Sequence, residues 1–153
     1  MEVDMPDFEE TLNDILVDTF NNILKYEEKS LQSISDIPIT VSEAHLLQAV
    51  AKNGGQASIS ELSGILKVTL PTTTVAVKKL EKKGFLEKGT SSEDGRKSVI
   101  TLTLLGQKAQ RAHNLFHRKM VRNVSSVFNE QEKEILLSSM SKLSDFFKDK
   151  AEN

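Results

Sequence analysis

The sequence predicts a mainly α protein with one small β wing. Three observations carry this expectation. Two short helical segments are joined by only three residues, "KVT" at 67–69. A hairpin pattern follows the second of them directly, and long amphipathic stripes lie at both ends of the chain. Two close helices and a hairpin make a winged helix-turn-helix, and the terminal stripes make a helical dimerisation region. The expected boundaries are 1–36 for a first dimerisation helix, 37–104 for the winged helix-turn-helix and 105–153 for the last dimerisation helices.

Phe8, Leu12, Ile15, Leu16, Phe20, Ile23 and Leu24 recur at helical spacing with acids between them, which predicts a helix over about 7–29. "SISDIPIT" breaks it at Pro38. Thr40 and Glu43 form a capping-box pattern for a second helix carrying Leu46, Leu47 and Val50, which ends at "NGG", 53–55. Ser58 and Glu61 repeat the pattern ahead of a helix over about 59–66, with Leu62, Ile65 and Leu66 expected on its inner face. Thr69 is placed to cap the next helix, about 70–83, and Pro71 is tolerated in its first turn. Thr73, Ala76, Val77 and Leu80 form its inner stripe, and Gly84 stands where a left-handed residue ends a helix.

Strand patterns follow at 85–89 and 98–103, around the polar tip "TSSEDGRK". Thr103 caps a helix over 104–126, and Asn129 with Glu132 forms a further capping-box pattern. The last helix, about 130–149, sets Leu136, Met140, Leu143 and Phe147 on one stripe. Stripes on the terminal helices are too wide for a small winged-helix core, so a second copy of the chain is expected to cover them.

The 153 residues are 38% hydrophobic and contain no cysteine, which excludes disulfides, thiolate metal sites and thiol redox switches. The acidic start lacks the basic-then-apolar order of a secretory signal, and no apolar run approaches the length of a bilayer span, so a cytoplasmic location is expected. No HExxH, glycine-rich phosphate loop or GxSxG is present, so an enzyme is not expected. The net charge of −2 is unevenly spread. Residues 1–36 carry −8, residues 57–99 carry +3, and residues 105–123 hold five bases and no acid. A polyanion meets one such face and not the average.

Thr72, Thr74, Val75, Lys78, Lys79 and Lys82 are expected to face outward on the fourth helix, with Thr69 at its start. Threonines can exchange hydrogen bonds with base edges and phosphates, while lysines supply phosphate attraction. Arg96, with Lys97 and Asp94 beside it, stands at the wing tip, where an arginine suits a narrow, electronegative minor groove. Solvated lysines and an ordinary turn are the plain alternative for each feature alone. The ordered set points to double-stranded DNA.

The segment "ISELSGILKVTLPTTTVAVKKLEKKGFLEKGTSSEDGRKSVITLTLLG" resembles the MarR family of transcriptional regulators. Its pieces are "LEKKGFLEK", the wing "EDGRKSVITLT" and "LTLLG" at the entry to the next helix. The resemblance implies a homodimeric repressor whose first and last two helices intertwine, each copy reading half of a pseudo-palindromic operator. It also implies that Asp94 and Arg96 match the family's Asp-x-Arg wing pattern. "FNNIL" with "YEEK", "VTLPTTT" and "FHRKMV" are similar to the branch that represses fatty-acid synthesis genes, which implies an acylated acyl carrier protein or acyl ligand as effector.

His113 and His117 lie four apart on one helix and share a face. With His45, and Glu27 or Glu28, they resemble the ligand set of zinc-responsive MarR repressors; Glu27, His45, His113 and His117 are the candidate zinc ligands. The competing reading is a histidine–glutamate network that braces the pocket. A third reading, of another class, is a winged-helix protein-interaction module that never binds DNA.

Overall fold

The computed structural model describes residues 5–90, 93 and 95–152. These hold six helices and three strands: α1 (Met5–Gln32), α2 (Val41–Lys52), β1 (Gln56–Ala57), α3 (Ile59–Leu66), α4 (Leu70–Lys82), β2 (Leu86–Thr90), β3 (Ser98–Leu102), α5 (Leu104–Ser126) and α6 (Glu130–Glu152). The chain forms two compact units, Met1–Phe116 and His117–Asn153.

The helices from α2 onward begin where their capping residues stand. Thr40 and Ser58 each accept from the backbone three residues on, and Glu43 and Glu61 return the bond. Thr69 caps α4. Asn129 and Glu132 exchange bonds of 2.9 Å each at the start of α6. Gly84 ends α4 at φ +87°, a conformation that costs glycine nothing. The turn between α3 and α4 uses a left-handed residue too, Lys67 at φ 54°, in place of the glycine often found there.

β2 and β3 pair antiparallel from Leu86–Leu102 to Thr90–Ser98, and β1 adds to the other edge of β3 through Gln56–Thr101 and Ala57–Ile100. β1 is absent from the sequence reading because two residues cannot display alternation. The core gathers Leu46, Leu47 and Val50 from α2, Leu62 from α3, and Val77 and Leu80 from α4, closed by Phe85 and Ile100. Ile65 departs from expectation: it is 49% exposed. At about 100° per residue, Leu66 lies 40° to one side of Leu62 and Ile65 about 60° to the other, beyond the strip that meets the core.

Lys83, one of the bases counted in the +3 of residues 57–99, is engaged within the protein. Its Nζ lies 2.8 and 2.9 Å from the Glu43 carboxylate oxygens and 2.9 Å from the Pro38 carbonyl. That clamp ties the end of α4 to the start of α2, so Lys83 positions the helix and Glu43 neutralises its charge.

Candidate nucleic-acid interface

The outward face of α4 follows from its buried one. Thr73, Val77 and Leu80 are buried. Helical geometry then puts Val75 and Lys82 near the centre of the opposite side, flanked by Lys78 and Lys79, with Thr72 and Thr74 on the two edges. Val75 is 65% exposed, and Thr72, Lys78, Lys79 and Lys82 are exposed as well. Thr74 is half-buried, and its hydroxyl donates to the Leu70 carbonyl at 2.9 Å. It therefore offers a methyl group and acceptor lone pairs, but no proton.

Thr69 stands exposed at the start of this face and donates to the Thr72 hydroxyl at 2.9 Å. The Thr72 proton remains available to an outside oxygen. Arg96 and Lys97 are exposed in the turn between β2 and β3. Asp94, expected beside Arg96 at the wing tip, lies outside the described residues. The same unit thus presents a helix sized for a major groove and, beside it, a hairpin carrying an arginine.

Behind α4 lies a polar cluster. Nε2 of His113, on α5, donates to Oε1 of Glu27, on α1, at 2.6 Å; both side chains are almost fully buried. Nε2 of His45, on α2, is 3.6 Å from the same oxygen, and its side chain is half exposed. The two imidazoles sit 6.1 Å apart, centroid to centroid. Tyr26 packs edge-on to Phe116 at 4.9 Å, joining α1 to α5 one residue from the carboxylate on one side and three from the imidazole on the other.

The potential ligand atoms of Glu27, His45 and His113 all fall within 4.8 Å of one another. Two donors on one tetrahedral zinc stand about 3.3 Å apart, given metal–ligand bonds of about 2.0–2.2 Å. The Glu27–His113 pair would open by less than about 1 Å to admit the ion, so the donor set fits. Glu28 is exposed and takes no part. His117 is half-buried one turn further along α5, in the second unit, and is not among the three gathered residues.

A capped helix pair, a basic outward face on the second helix and an arginine-bearing hairpin define a winged-helix DNA-binding protein. Residues 37–97 match the family model described as the MarR family. The fold superposes on FabT of Streptococcus pneumoniae, solved in complex with DNA, with a TM-score of 0.84 and 30% identity over 92% of this chain and 98% of that one. HTH-type transcriptional regulator BilQ of Clostridium symbiosum is 33% identical over 84 residues, 54% of this chain; the match spans 58% of that relative's length. YusO of Bacillus subtilis shares the fold with a TM-score of 0.63 at 19% identity, over 90% of this chain and 96% of that one. The chain belongs to the MarR family and is a DNA-binding transcriptional regulator of that family. Among the described residues no helix is long and apolar enough to cross a membrane.

Proposed function

We propose that the protein acts as a homodimeric repressor on a pseudo-palindromic operator, controls fatty-acid synthesis genes, and answers to an acyl-type effector such as an acylated acyl carrier protein. The observation that carries the reading is the pairing of the exposed Thr72, Val75, Lys78, Lys79 and Lys82 face with Arg96 in the wing, on a chain similar to DNA-bound FabT along nearly its whole length. Thr69, Thr74, Asp94 and Lys97 complete the proposed contact set. Exposed apolar stripes support a second copy as partner. α1 exposes Phe8, Ile15, Phe20 and Ile23, and α6 exposes Ile135, Leu137, Met140 and Phe147. So much apolar surface is costly to leave in water.

Arg96→Ala should weaken operator binding by about 1–3 kcal/mol, the scale of one lost specific contact. Lys78→Ala or Lys82→Ala should instead weaken binding to all sequences and lower the salt slope by about 1. Gel shifts with operator and scrambled DNA across a salt series separate the two effects. Unchanged operator affinity in Arg96→Ala removes the wing from the groove. Failure of the wild type to shift any DNA favours the protein-interaction module.

A second reading, zinc as effector, is carried by the convergence of Glu27, His45 and His113. An ion there would tie α1, α2 and α5 together behind the recognition helix and shift DNA affinity only by its differential affinity for two spacings of the half-site readers. Calorimetry with zinc should then give a Kd tighter than about 1 μM in the wild type, lost in His45→Ala, whose half-exposed side chain can go without unfolding the core. Absence of such binding leaves the cluster as a structural brace.

A further inference from the structure

The outward face of α4 is charged in its second half and apolar in its first. Lys78, Lys79 and Lys82 occupy the second half. Pro71 and Val75 lie exposed in the first, Val75 at 65%. Four residues separate them, so they sit one turn and about 40° apart, a strip about 6 Å long on the side away from Thr73, Val77 and Leu80. The fold has no use for Val75, which is absent from the core, and a β-branched residue is a poorer helix former than alanine or lysine. Single exposed apolar residues are ordinary on a surface. This pair stands in the N-terminal turns of a recognition helix, where base edges are met.

The usual polar readers are missing from the same place. Guanine and adenine are commonly read by arginine, asparagine or glutamine, and cytosine by a carboxylate. Helix α4 contains no arginine, asparagine, glutamine or aspartate, and its one glutamate, Glu81, is half-buried near the far end. Thr73 and Thr74 spend their hydroxyl protons on the carbonyls of Thr69 and Leu70, at 3.0 and 2.9 Å. Thr72 is left as the single hydroxyl donor of this face.

We propose that α4 recognises thymine by its C5 methyl group, with Val75 as the specificity-determining contact and Pro71 extending the contact to a second thymine. That methyl distinguishes thymine from cytosine in the major groove without any hydrogen bond. Base pairs stack about 3.4 Å apart, so a strip of about 6 Å reaches two thymines no more than two steps apart in each half-site. The lysines behind the strip hold phosphates whatever the sequence. Recognition of this kind rests on α4 as the DNA-facing helix and is independent of the genes controlled and of the effector.

The probe for the test is a duplex that the full-length protein selects from a pool of random DNA. Each thymine of its half-sites is replaced in turn by uracil, which keeps the O4 acceptor and the pairing and removes only the methyl. One or two positions in each half-site should lose about fourfold in affinity, the worth of one buried methyl. In Val75→Ala, thymine and uracil at the position read by Val75 should bind alike, within about twofold. Alanine is the better helix former, so this variant keeps the fold, and its affinity for a scrambled duplex should match that of the wild type. At the same position 5-methylcytosine should bind about fourfold more tightly than cytosine to the wild type and no more tightly to Val75→Ala. The proposal is overturned if uracil binds as well as thymine throughout, or if the loss persists undiminished in Val75→Ala, which would assign it to DNA shape. Either of those results leaves operator binding, and the function proposed above, standing. A protein that selects no site from the pool would refute the DNA-facing role of α4 and thymine recognition with it.

Discussion

Gly106→Ala should lower stability by about 3–5 kcal/mol, a large part of the 5–15 kcal/mol that holds a typical domain together. Gly106 lies in the first turn of α5. A Cβ built there meets the Phe85 carbonyl oxygen at 2.0 Å and its carbon at 3.1 Å. Backbone cannot swing aside as a flexible side chain does. The junction is further locked by three hydrogen bonds: Thr103 N–H to the Phe85 carbonyl at 3.1 Å, the Thr103 hydroxyl to the Gly84 carbonyl at 2.6 Å, and Gly106 N–H to the Thr103 hydroxyl at 3.0 Å. Relieving the clash separates α5 from the start of β2 and gives up bonds worth about 1 kcal/mol each on top of an overpacking cost of about 1–3 kcal/mol. Gly64→Ala is the control. Gly64 is exposed in α3, a Cβ there meets nothing within 4 Å, and alanine should stabilise the helix by about 0.5–1 kcal/mol. Denaturant melts at one fixed protein concentration check both. A Gly106→Ala protein within about 1 kcal/mol of the wild type would contradict the close approach.

Truncating either partner of the buried Glu27–His113 pair should cost about 3–5 kcal/mol, because it removes the 2.6 Å bond while the survivor stays away from water. The bond spans α1 and α5, 86 residues apart in sequence, so its loss loosens a long-range joint. Glu27→Ala and His113→Ala should not add. Once one member is gone, the contact between them is already lost, so the double variant should be less destabilised than the sum by more than about 1 kcal/mol. Glu27→Gln keeps an acceptor oxygen and should fall between the wild type and Glu27→Ala. Additive losses in this double-mutant cycle would mean that the two side chains do not interact.

Much of this architecture could be read before any coordinates. The starts of α2, α3 and α6 were legible because a cap acts over three residues, as in Thr40 with Glu43, Ser58 with Glu61 and Asn129 with Glu132, whereas α1, Met5–Gln32, carries no such signal and outruns the expected 7–29 at both ends. The end of α4 was legible because Gly84 adopts a backbone that few other residues tolerate. Periodicity located the inner stripe of α4, and its outward lysines followed by subtraction. The family, too, was visible in contiguous stretches such as "LEKKGFLEK" and "EDGRKSVITLT".

What the sequence determined by itself was local: helix limits, the turn, the hairpin and the basic face, all set by interactions within a few residues. Tertiary structure alone decided the long-range pairings. It chose Glu27 over Glu28 as the partner of His113, and made Lys83 a clamp on Glu43 and Pro38. It made Gly106 the point where two backbones nearly touch. It added β1, too short to signal itself, to the edge of β3. Sequence periodicity says which side of a helix turns inward. Which atoms it meets there depends on how separate helices are brought together, and that is set by the packing of the whole unit.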